Sequence, residues 1–197
     1  MSAAVIVARG GSRRIPRKNV KDFMGRPMLA WPIGAATESG LFSQVYVSTE
    51  DSEIAALAHE LGARVIQRPT ELARDEVGTQ EVMRHAVGAA GIKLGAELCC
   101  IYPCTPLLLA QDLRDAHKRM VERELDYVVA VGASPLRDTG WFYYGIAHNF
   151  AHGLPLYGPQ TRTGLHVIDE ARAIDINEQP DWDRAEAAFT AMQRRAA

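Results

Sequence analysis

Short apolar segments alternate with helix-like segments along most of this 197-residue chain. Five apolar runs are predicted as strands, at residues 5–7, 44–49, 63–67, 97–102 and 127–131. Between them, four segments are predicted as helices: residues 28–39, a segment capped by Asp51, residues 79–90 and residues 112–124. Because strands joined by helices run parallel, the alternation predicts an α/β fold with a mostly parallel, Rossmann-like sheet and helices on both faces.

The last third of the chain continues this pattern. Residues 141–146 and 166–169 are further strand predictions, and residues 181–193 are predicted as a terminal helix. Within the first predicted helix, Pro32 is expected to kink the axis or to move the true start. No repeat or linker interrupts the pattern, so residues 1–197 are expected to form a single domain with a sizeable core. In such a sheet, ligands bind beyond the carboxyl ends of the strands.

Composition excludes several classes of function. The net charge is −2 and 47% of the residues are hydrophobic, which argues against bulk attraction to nucleic acid. No apolar run approaches the roughly 18 residues of a membrane span, so no membrane partner is expected. The three cysteines lack CxxC spacing, which indicates buried thiols in a reducing compartment. A cytoplasmic location is the expectation.

A cationic loop follows the first predicted strand, with the sequence ARGGSRRIPRKN at residues 8–19. Gly10 and Gly11 allow a tight turn, Ser12 adds a hydroxyl, and Pro16 limits the loop's freedom. Backbone N–H groups of such a turn can form an anion-binding concavity. Six cations lie between Arg9 and Lys21: Arg9, Arg13, Arg14, Arg17, Lys18 and Lys21. The loop fits a triphosphate, although it matches neither GxGxxG nor GxxxxGK[ST]; the alternative is a solvated basic loop.

The sequence around this loop carries a resemblance to a known family. Residues 8–19 are followed by VKDFMGRPMLAW and by ESGLFSQVYVSTEDSEIAALAHELGARVIQRPTELARD. These segments resemble the acylneuraminate cytidylyltransferases, the CMP-sialic acid synthetase family, and CIYPCTPLL resembles the pseudaminic acid cytidylyltransferases among them. The resemblance implies a fold of the nucleotide-diphospho-sugar transferase type. It also implies transfer of a cytidylyl group from CTP to the anomeric hydroxyl of a 2-keto acid sugar, pseudaminic acid, with release of pyrophosphate.

The resemblance implies a set of nucleotide-binding residues. Those in or beside the first loop are Ala8, Arg9, Gly10, Gly11, Ser12, Lys18 and Asn19. Arg9 and Lys18 are the implied catalytic residues, acting on the triphosphate and the reacting centre. Arg68 and Thr79 are implied to lie near the nucleotide and its base. The alternatives are a surface ion pair for Arg68 and a helix cap for Thr79.

The resemblance also implies a magnesium site. The family usually carries two acidic residues one apart in a stretch like ARAIDINEQPDWDRAE, and here these positions are Asp175 and Asn177. Asn177 keeps an oxygen ligand but lacks the charge, so Mg²⁺ would depend on the triphosphate and water for its other ligands. The alternative for Asp175 is that it begins the turn into the last helix.

The sugar half of the site departs from the family pattern. Tyr102, Thr139 and Tyr143 fall on positions implied to bind the sugar, while Trp141 is expected to pack in the core. The family has a substantial segment before a motif like DAGQFYWG, whereas here GASPL leads directly into RDTGWFYYG. That segment contributes to sugar binding and dimer contacts, so a monomer or an atypical homodimer is predicted. Two alternatives stay open: a non-catalytic CTP-binding or regulatory relative, and a cytidylyltransferase for another acid sugar.

Overall fold

The computed structural model describes residues 2–133 and 135–196. The strands in chain order are β1 Ser2–Val7, β2 Asp22–Phe23, β3 Arg26–Pro27, β4 Gln44–Thr49, β5 Arg64–Gln67, β6 Glu97–Ile101, β7 Tyr127–Ala133, β8 Leu136–Ile146 and β9 Thr163–Ile168. The helices are α1 Ala30–Glu38, α2 Ser52–Glu60, α3 Thr79–Ala89, α4 Ala110–Glu122, α5 Ala147–Ala151 and α6 Gln179–Ala196, and a 3₁₀ turn covers Thr70–Ala73.

Seven strands form one sheet in the order β5-β4-β1-β6-β8-β7-β9. All neighbouring pairs are parallel except the two that β8 makes, with β6 and β7. β8 is antiparallel because it follows β7 through a hairpin, which is too short for the crossover that parallel strands require. The predicted mostly parallel α/β fold is confirmed.

Helices cover both faces of the sheet. On one face, α1, α2, α4 and α6 contribute buried side chains to a core that includes Ile33, Ile54, Leu113 and Trp182. On the other face, α3 and α5 pack a second core, in which Met83 and Phe150 are fully buried. Among the described residues, no helix is both long and apolar enough to span a bilayer.

Capping and proline signals in the sequence bear on where α1 and α2 begin. Asp51 caps α2 as predicted, and its carboxylate accepts hydrogen bonds from the N–H groups of Glu53 and Ile54, both at 3.0 Å. Of the two outcomes expected from Pro32, the second is observed: α1 begins at Ala30 rather than at residue 28, and Pro32 lies in its first turn. There the backbone N–H has no partner within the helix, so its absence costs little.

Other predicted boundaries required correction. β8 begins five residues before the predicted start at residue 141, since pairing with β7 recruits the polar residues of the hairpin. β9 begins at Thr163 rather than at 166, and α6 extends the predicted terminal helix at both ends. The small β2–β3 ladder was not predicted. It pairs two residues on each side around Met24 and Gly25, which both have positive φ.

Candidate nucleotide-binding site

A cavity of about 630 Å³ lies beyond the carboxyl ends of β1, β5 and β6. Its walls come from the loop after β1, the segment between β5 and α3, the residues after β6, and the loop between β9 and α6. Six of its lining residues are cations: Arg9, Arg13, Arg14, Lys18, Arg68 and Arg74. Two lining residues are carboxylates, Asp75 and Asp175. This excess of positive charge suits a polyanionic ligand.

The loop after β1 is held by contacts to distant parts of the chain. Lys18 donates from Nζ to the carbonyl oxygen of Ile176 at 2.5 Å, which joins the loop to the segment before α6. Asn19 donates from Nδ2 to the carbonyl oxygen of Arg9 at 2.8 Å and ties the two ends of the loop together. Arg9 forms an ion pair with Asp75 and also donates to the carbonyl oxygen of Ala73.

The backbone N–H groups of Gly10 and Ser12 donate to acceptors within the protein, so the prediction that the turn's N–H groups form an anion-binding concavity is not supported for these two. Gly10 donates its N–H to Glu50 Oε1 at 2.7 Å, and Ser12 donates its N–H to the Gly10 carbonyl at 2.9 Å. A Cβ at Gly10 would lie 2.4 Å from Asp51 Oδ2, so glycine is required here for packing against Asp51. Ala8 is fully buried and Gly10 does not line the cavity, whereas Gly11 and Ser12 do.

Arg17 anchors the other end of the loop to the start of α2. Its guanidinium contacts both oxygens of Asp51, at 2.6 and 3.0 Å, and also pairs with Glu53. The hydrogen bond from Arg17 lowers the pKa of Asp51 to about 2. Arg17 has a φ of 55°, a left-handed conformation that this bidentate contact helps to hold. Arg17 therefore stabilises the conformation of the loop.

Arg68 is buried at the edge of the cavity, with 3% exposure. Its Nη2 donates to the carbonyl oxygen of Ser48 at 2.5 Å, and its Nε donates to Ser48 Oγ at 3.1 Å. The alternative of a surface ion pair is wrong: Arg68 is buried, and the ion pairs within the described ranges do not include it. Burial lowers the pKa of Arg68, as expected for a desolvated cation.

Thr79 is the first residue of α3, but it does not cap the helix. The N-cap position belongs to Gly78, and no side chain accepts a capping hydrogen bond there. The Thr79 hydroxyl instead shares a short hydrogen bond with the hydroxyl of Tyr102. Both side chains line the cavity, which supports the binding interpretation over the capping one. Burial raises the pKa of Tyr102 to about 12, so this phenol stays protonated at neutral pH.

Asp175 and Asn177 both line the cavity, yet their arrangement does not suit a shared metal ion. Asn177 donates from Nδ2 to Asp175 Oδ2 at 2.6 Å, and its Oδ1 accepts from Arg14 Nη2 at 3.2 Å. The amide nitrogen, rather than the oxygen, therefore faces Asp175. The prediction that Asn177 supplies an oxygen ligand beside Asp175 is not supported by this geometry. Across residues 2–133 and 135–196, no group of three His, Cys, Asp or Glu is arranged to hold a metal.

Asp181 stabilises the turn into α6, a role considered for Asp175 from the sequence. Asp181 Oδ2 accepts hydrogen bonds from the N–H groups of Asn177 and Glu178, both at 2.9 Å. Asp175 precedes this turn and lines the cavity. The interpretation of Asp175 as the residue that begins the turn is therefore wrong.

Two of the three predicted sugar contacts lie away from the cavity wall. Thr139 is 1% exposed and donates its hydroxyl to the carbonyl oxygen of Ala130 at 2.9 Å, so it is a core residue. Tyr143 is buried behind Tyr102, with ring centroids 5.8 Å apart, and its hydroxyl donates to Asp138 at 2.9 Å. Only Tyr102 reaches the cavity. Trp141 packs in the core as predicted.

Sequence reasoning missed several cavity residues. Asp75 pairs with Arg9 and lies 3.3 Å from the Arg13 guanidinium. Cys104 lines the wall and contacts Asn19 Oδ1 at 3.1 Å, and Gly140 enters from β8. The carboxylate at Asp75 could have been noticed, since it ends the segment RPTELARD that carried the resemblance. Nothing local marks Cys104 or Gly140, because their position depends on how β6 and β8 pair.

The sheet order and the cationic cavity at the strand ends define an α/β protein with a site suited to a polyanionic ligand. A family model described as cytidylyltransferase matches residues 3–136, more than half of the chain. The chain therefore belongs to the cytidylyltransferase family, and the resemblance seen in the sequence is confirmed.

Named relatives agree with this assignment. The chain is 33% identical over 129 residues to a pseudaminic acid cytidylyltransferase of Campylobacter jejuni, covering 64% of this chain and 56% of the relative. It is 34% identical over 129 residues to N-acylneuraminate cytidylyltransferase A of Danio rerio, covering 66% of this chain and 30% of that protein. The chain thus spans about half the length of the first relative and less than a third of the second.

A solved structure extends the likeness in fold to nearly the whole chain. A CMP:2-keto-3-deoxy-manno-octonic acid synthetase, determined in complex with CTP, superposes with a TM-score of 0.78. The match covers 98% of this chain and 100% of that one, at 13% sequence identity. The shared fold therefore continues past residue 136, where the family model ends.

Proposed function

We propose that this protein transfers a cytidylyl group from CTP to the anomeric hydroxyl of a 2-keto acid sugar, with pseudaminic acid as the expected acceptor. The observation that carries the proposal is the cavity in which six cations from two segments, the loop after β1 and the stretch between β5 and α3, converge at the strand ends. In the reaction, the hydroxyl oxygen forms a bond to the α-phosphorus and loses its proton. The bond from that phosphorus to the bridging oxygen breaks, and pyrophosphate leaves.

The residues of this chain contribute mainly charge and position. Arg9, Lys18 and Arg68 lie around the cavity and neutralise phosphate oxygens, which favours a transition state with charge spread over those oxygens. Lys18 is fixed by its hydrogen bond to Ile176, so its ammonium is in place before the nucleotide arrives. Thr79 and Tyr102 offer paired hydroxyls on the cavity wall, which can form hydrogen bonds to a base or to a sugar hydroxyl.

A divalent ion, expected to be Mg²⁺, fits this site at Asp175 alone. One carboxylate together with phosphate oxygens and water is a donor set that Mg²⁺ accepts. When bound, the ion supplies charge neutralisation on the phosphates and assists the departure of pyrophosphate. Asp175 is the residue that would hold it, while Asn177 hydrogen-bonds to the carboxylate of Asp175.

The sugar half of the site is where this chain departs from the family pattern. Tyr102 is the one predicted sugar residue on the cavity wall, and the short connection from β7 to β8 leaves little chain to enclose a sugar. A monomer, or a homodimer formed through another surface, is our proposal for the assembly. The Asn177 to Asp175 hydrogen bond favours one second candidate, a relative that binds CTP without turnover.

Release of pyrophosphate tests the proposal directly. The protein is incubated with CTP, Mg²⁺ and pseudaminic acid, and then with sialic acid and 2-keto-3-deoxy-manno-octonic acid. Pyrophosphate release with one of these acceptors is expected, and CTP binding with no release from any of them would favour the non-catalytic candidate. Arg9→Ala and Lys18→Ala should each weaken CTP binding, less so at high salt because the attraction is Coulombic. Unchanged CTP affinity in both variants would reject the loop assignment.

A further inference from the structure

The side chains of Arg14, Asn177 and Asp175 form a continuous polar bridge along one wall of the cavity. Asn177 connects the other two, with its oxygen 3.2 Å from Arg14 Nη2 and its nitrogen 2.6 Å from Asp175 Oδ2. Arg14 also lies 3.8 Å from Glu178 Oε1. The bridge joins the first loop of the chain to the segment before α6.

The two neighbours fix which way the Asn177 amide points. A guanidinium can only donate hydrogen bonds, and an ionised carboxylate can only accept them. The reverse orientation would place the amide oxygen against Asp175 and the NH₂ group against Arg14, so both contacts would be repulsive. The observed orientation therefore presents a donor to Asp175 and holds the Arg14 guanidinium at the cavity wall.

A carboxylate at position 177 would produce a different site. It would neutralise Arg14 through an ion pair, and it would stand beside Asp175 as a second anionic oxygen donor. Two carboxylates in that position attract a divalent cation, whereas an amide that donates to Asp175 does not. The choice of asparagine thus spares Arg14 a second carboxylate beside its long, exposed ion pair with Glu178, so its guanidinium can also contact the phosphates.

We infer that Arg14 is a triphosphate-binding residue positioned by Asn177, and that CTP binds to this protein without a divalent ion. This inference rests on the proposed function and specifies its metal requirement. Nucleotide binding uses fixed guanidinium charge along this wall, and at most one ion, at Asp175, takes part in the reaction that follows. Arg14 has a side chain that is 63% exposed, so it reaches the ligand without rearrangement of the core.

The experiment measures CTP binding by isothermal titration calorimetry, once with EDTA and once with Mg²⁺. Wild-type protein is expected to bind CTP under both conditions with dissociation constants within about threefold of each other. Arg14→Ala should weaken metal-free binding by about tenfold, as for loss of a charge-assisted hydrogen bond. Arg162→Ala serves as the matched control, because that arginine is similarly exposed, at 64%, and does not line the cavity.

Asn177→Asp provides the second arm. This variant should bind CTP about tenfold more weakly in EDTA, regain affinity with Mg²⁺, and bind Mg²⁺ alone where wild type does not. Wild-type binding of CTP only in the presence of Mg²⁺ would overturn the inference while leaving the proposed function standing. Equal metal-free affinities for the Arg14 and Arg162 variants would also overturn it. No CTP binding under either condition would overturn both proposals, and thermal melts confirm that each variant is folded.

Discussion

Asp75 accepts a hydrogen bond from the guanidinium of Arg9, so a carboxylate of this chain already pairs with a cation that we propose binds the triphosphate. The two side chains are 41% and 40% exposed, and the hydrogen bond from Arg9 holds the pKa of Asp75 below its usual range. Asp75 therefore stays ionised at neutral pH and competes with the ligand. If Arg9 binds the triphosphate as proposed, Asp75 is the carboxylate with which the ligand exchanges for this guanidinium.

Replacing Asp75 with asparagine should therefore strengthen CTP binding. The gain is expected to be up to about fivefold, since an exposed ion pair contributes at most about 1 kcal/mol. Glu76→Gln is the control, because it makes the same change in charge one residue away on an exposed side chain. Calorimetry should show a gain for Asp75→Asn alone. Equal gains in both variants would indicate a general effect of net charge and not the release of Arg9.

Because Arg68 is a buried cation, we expect a bound anion to stabilise the fold. It is a buried cation whose hydrogen bonds go to Ser48, so a bound anion gives it a charged partner. Saturating CTP, at about a hundred times its dissociation constant, should contribute about 2.7 kcal/mol and raise Tm by roughly 5 to 10 °C. Arg68→Met should lose most of this shift. Arg64→Met, which removes an exposed arginine from β5, should keep it, and a full shift in Arg68→Met would contradict the assignment.

Because the pKa of Asp112 is lowered in the folded protein, we expect a loss of stability at low pH. Asp112 is 5% exposed and contacts the Arg172 guanidinium at 2.7 and 2.9 Å and His166 Nε2 at 3.3 Å. Burial raises the pKa of Asp112, but the hydrogen bonds from Arg172 and His166 outweigh it and lower the pKa to about 2. A depressed pKa stabilises the fold above the unfolded value near 4, and that contribution disappears as pH falls towards 2.

Denaturant melts between pH 5 and pH 2 test this expectation. Wild-type protein should lose roughly 2 kcal/mol through Asp112 across this range, in addition to the contributions of other carboxylates. Asp112→Asn should lack that component and should be less stable at pH 7 by about 3 kcal/mol, because the largely buried side chain of Arg172, 14% exposed, is left without its charged partner. Asp115→Asn, on the exposed side of α4, should behave like wild type. Parallel pH profiles for all three proteins would refute the role of Asp112.

The thiols should react slowly in the native protein. Cys99 and Cys100 are fully buried, and burial raises the pKa of the Cys104 thiol on the cavity wall to about 12. At pH 8 the thiolate fraction of Cys104 is on the order of 10⁻⁴, so thiol reagents meet almost no nucleophile. Ellman's reagent should label the native protein slowly and three thiols rapidly after unfolding in guanidinium. Rapid labelling of one thiol in the native state would contradict the raised pKa.

Much of the fold could be predicted from the sequence because most helices and strands carry their own start and stop signals. Asp51 and Gly62 bracket α2 with a cap and a left-handed glycine, and both signals can be read without any tertiary contact. The bounds of β8 could not be read in this way. Residues 137–139 near its start are polar, and they become part of the strand only because β7 lies beside them.

The candidate site was predictable only in part, for a related reason. The cationic loop is contiguous in sequence, whereas the Arg9 to Asp75 and Thr79 to Tyr102 contacts arise from folding. For Tyr143, alternation along the strand could not distinguish pocket from core, since helices cover both faces of the sheet. Its burial behind Tyr102 depends on the pairing of β6 with β8.

The hydrogen bond from Lys18 to Ile176 joins residues 158 positions apart, and this has a consequence for synthesis of the protein. On the ribosome, the cationic loop emerges early, long before the segment that holds its lysine. At a translation rate of about 5 to 20 residues per second, the interval is on the order of ten seconds. During that time the nascent chain presents an unanchored basic loop, so its binding site matures only when the final helix has begun to emerge.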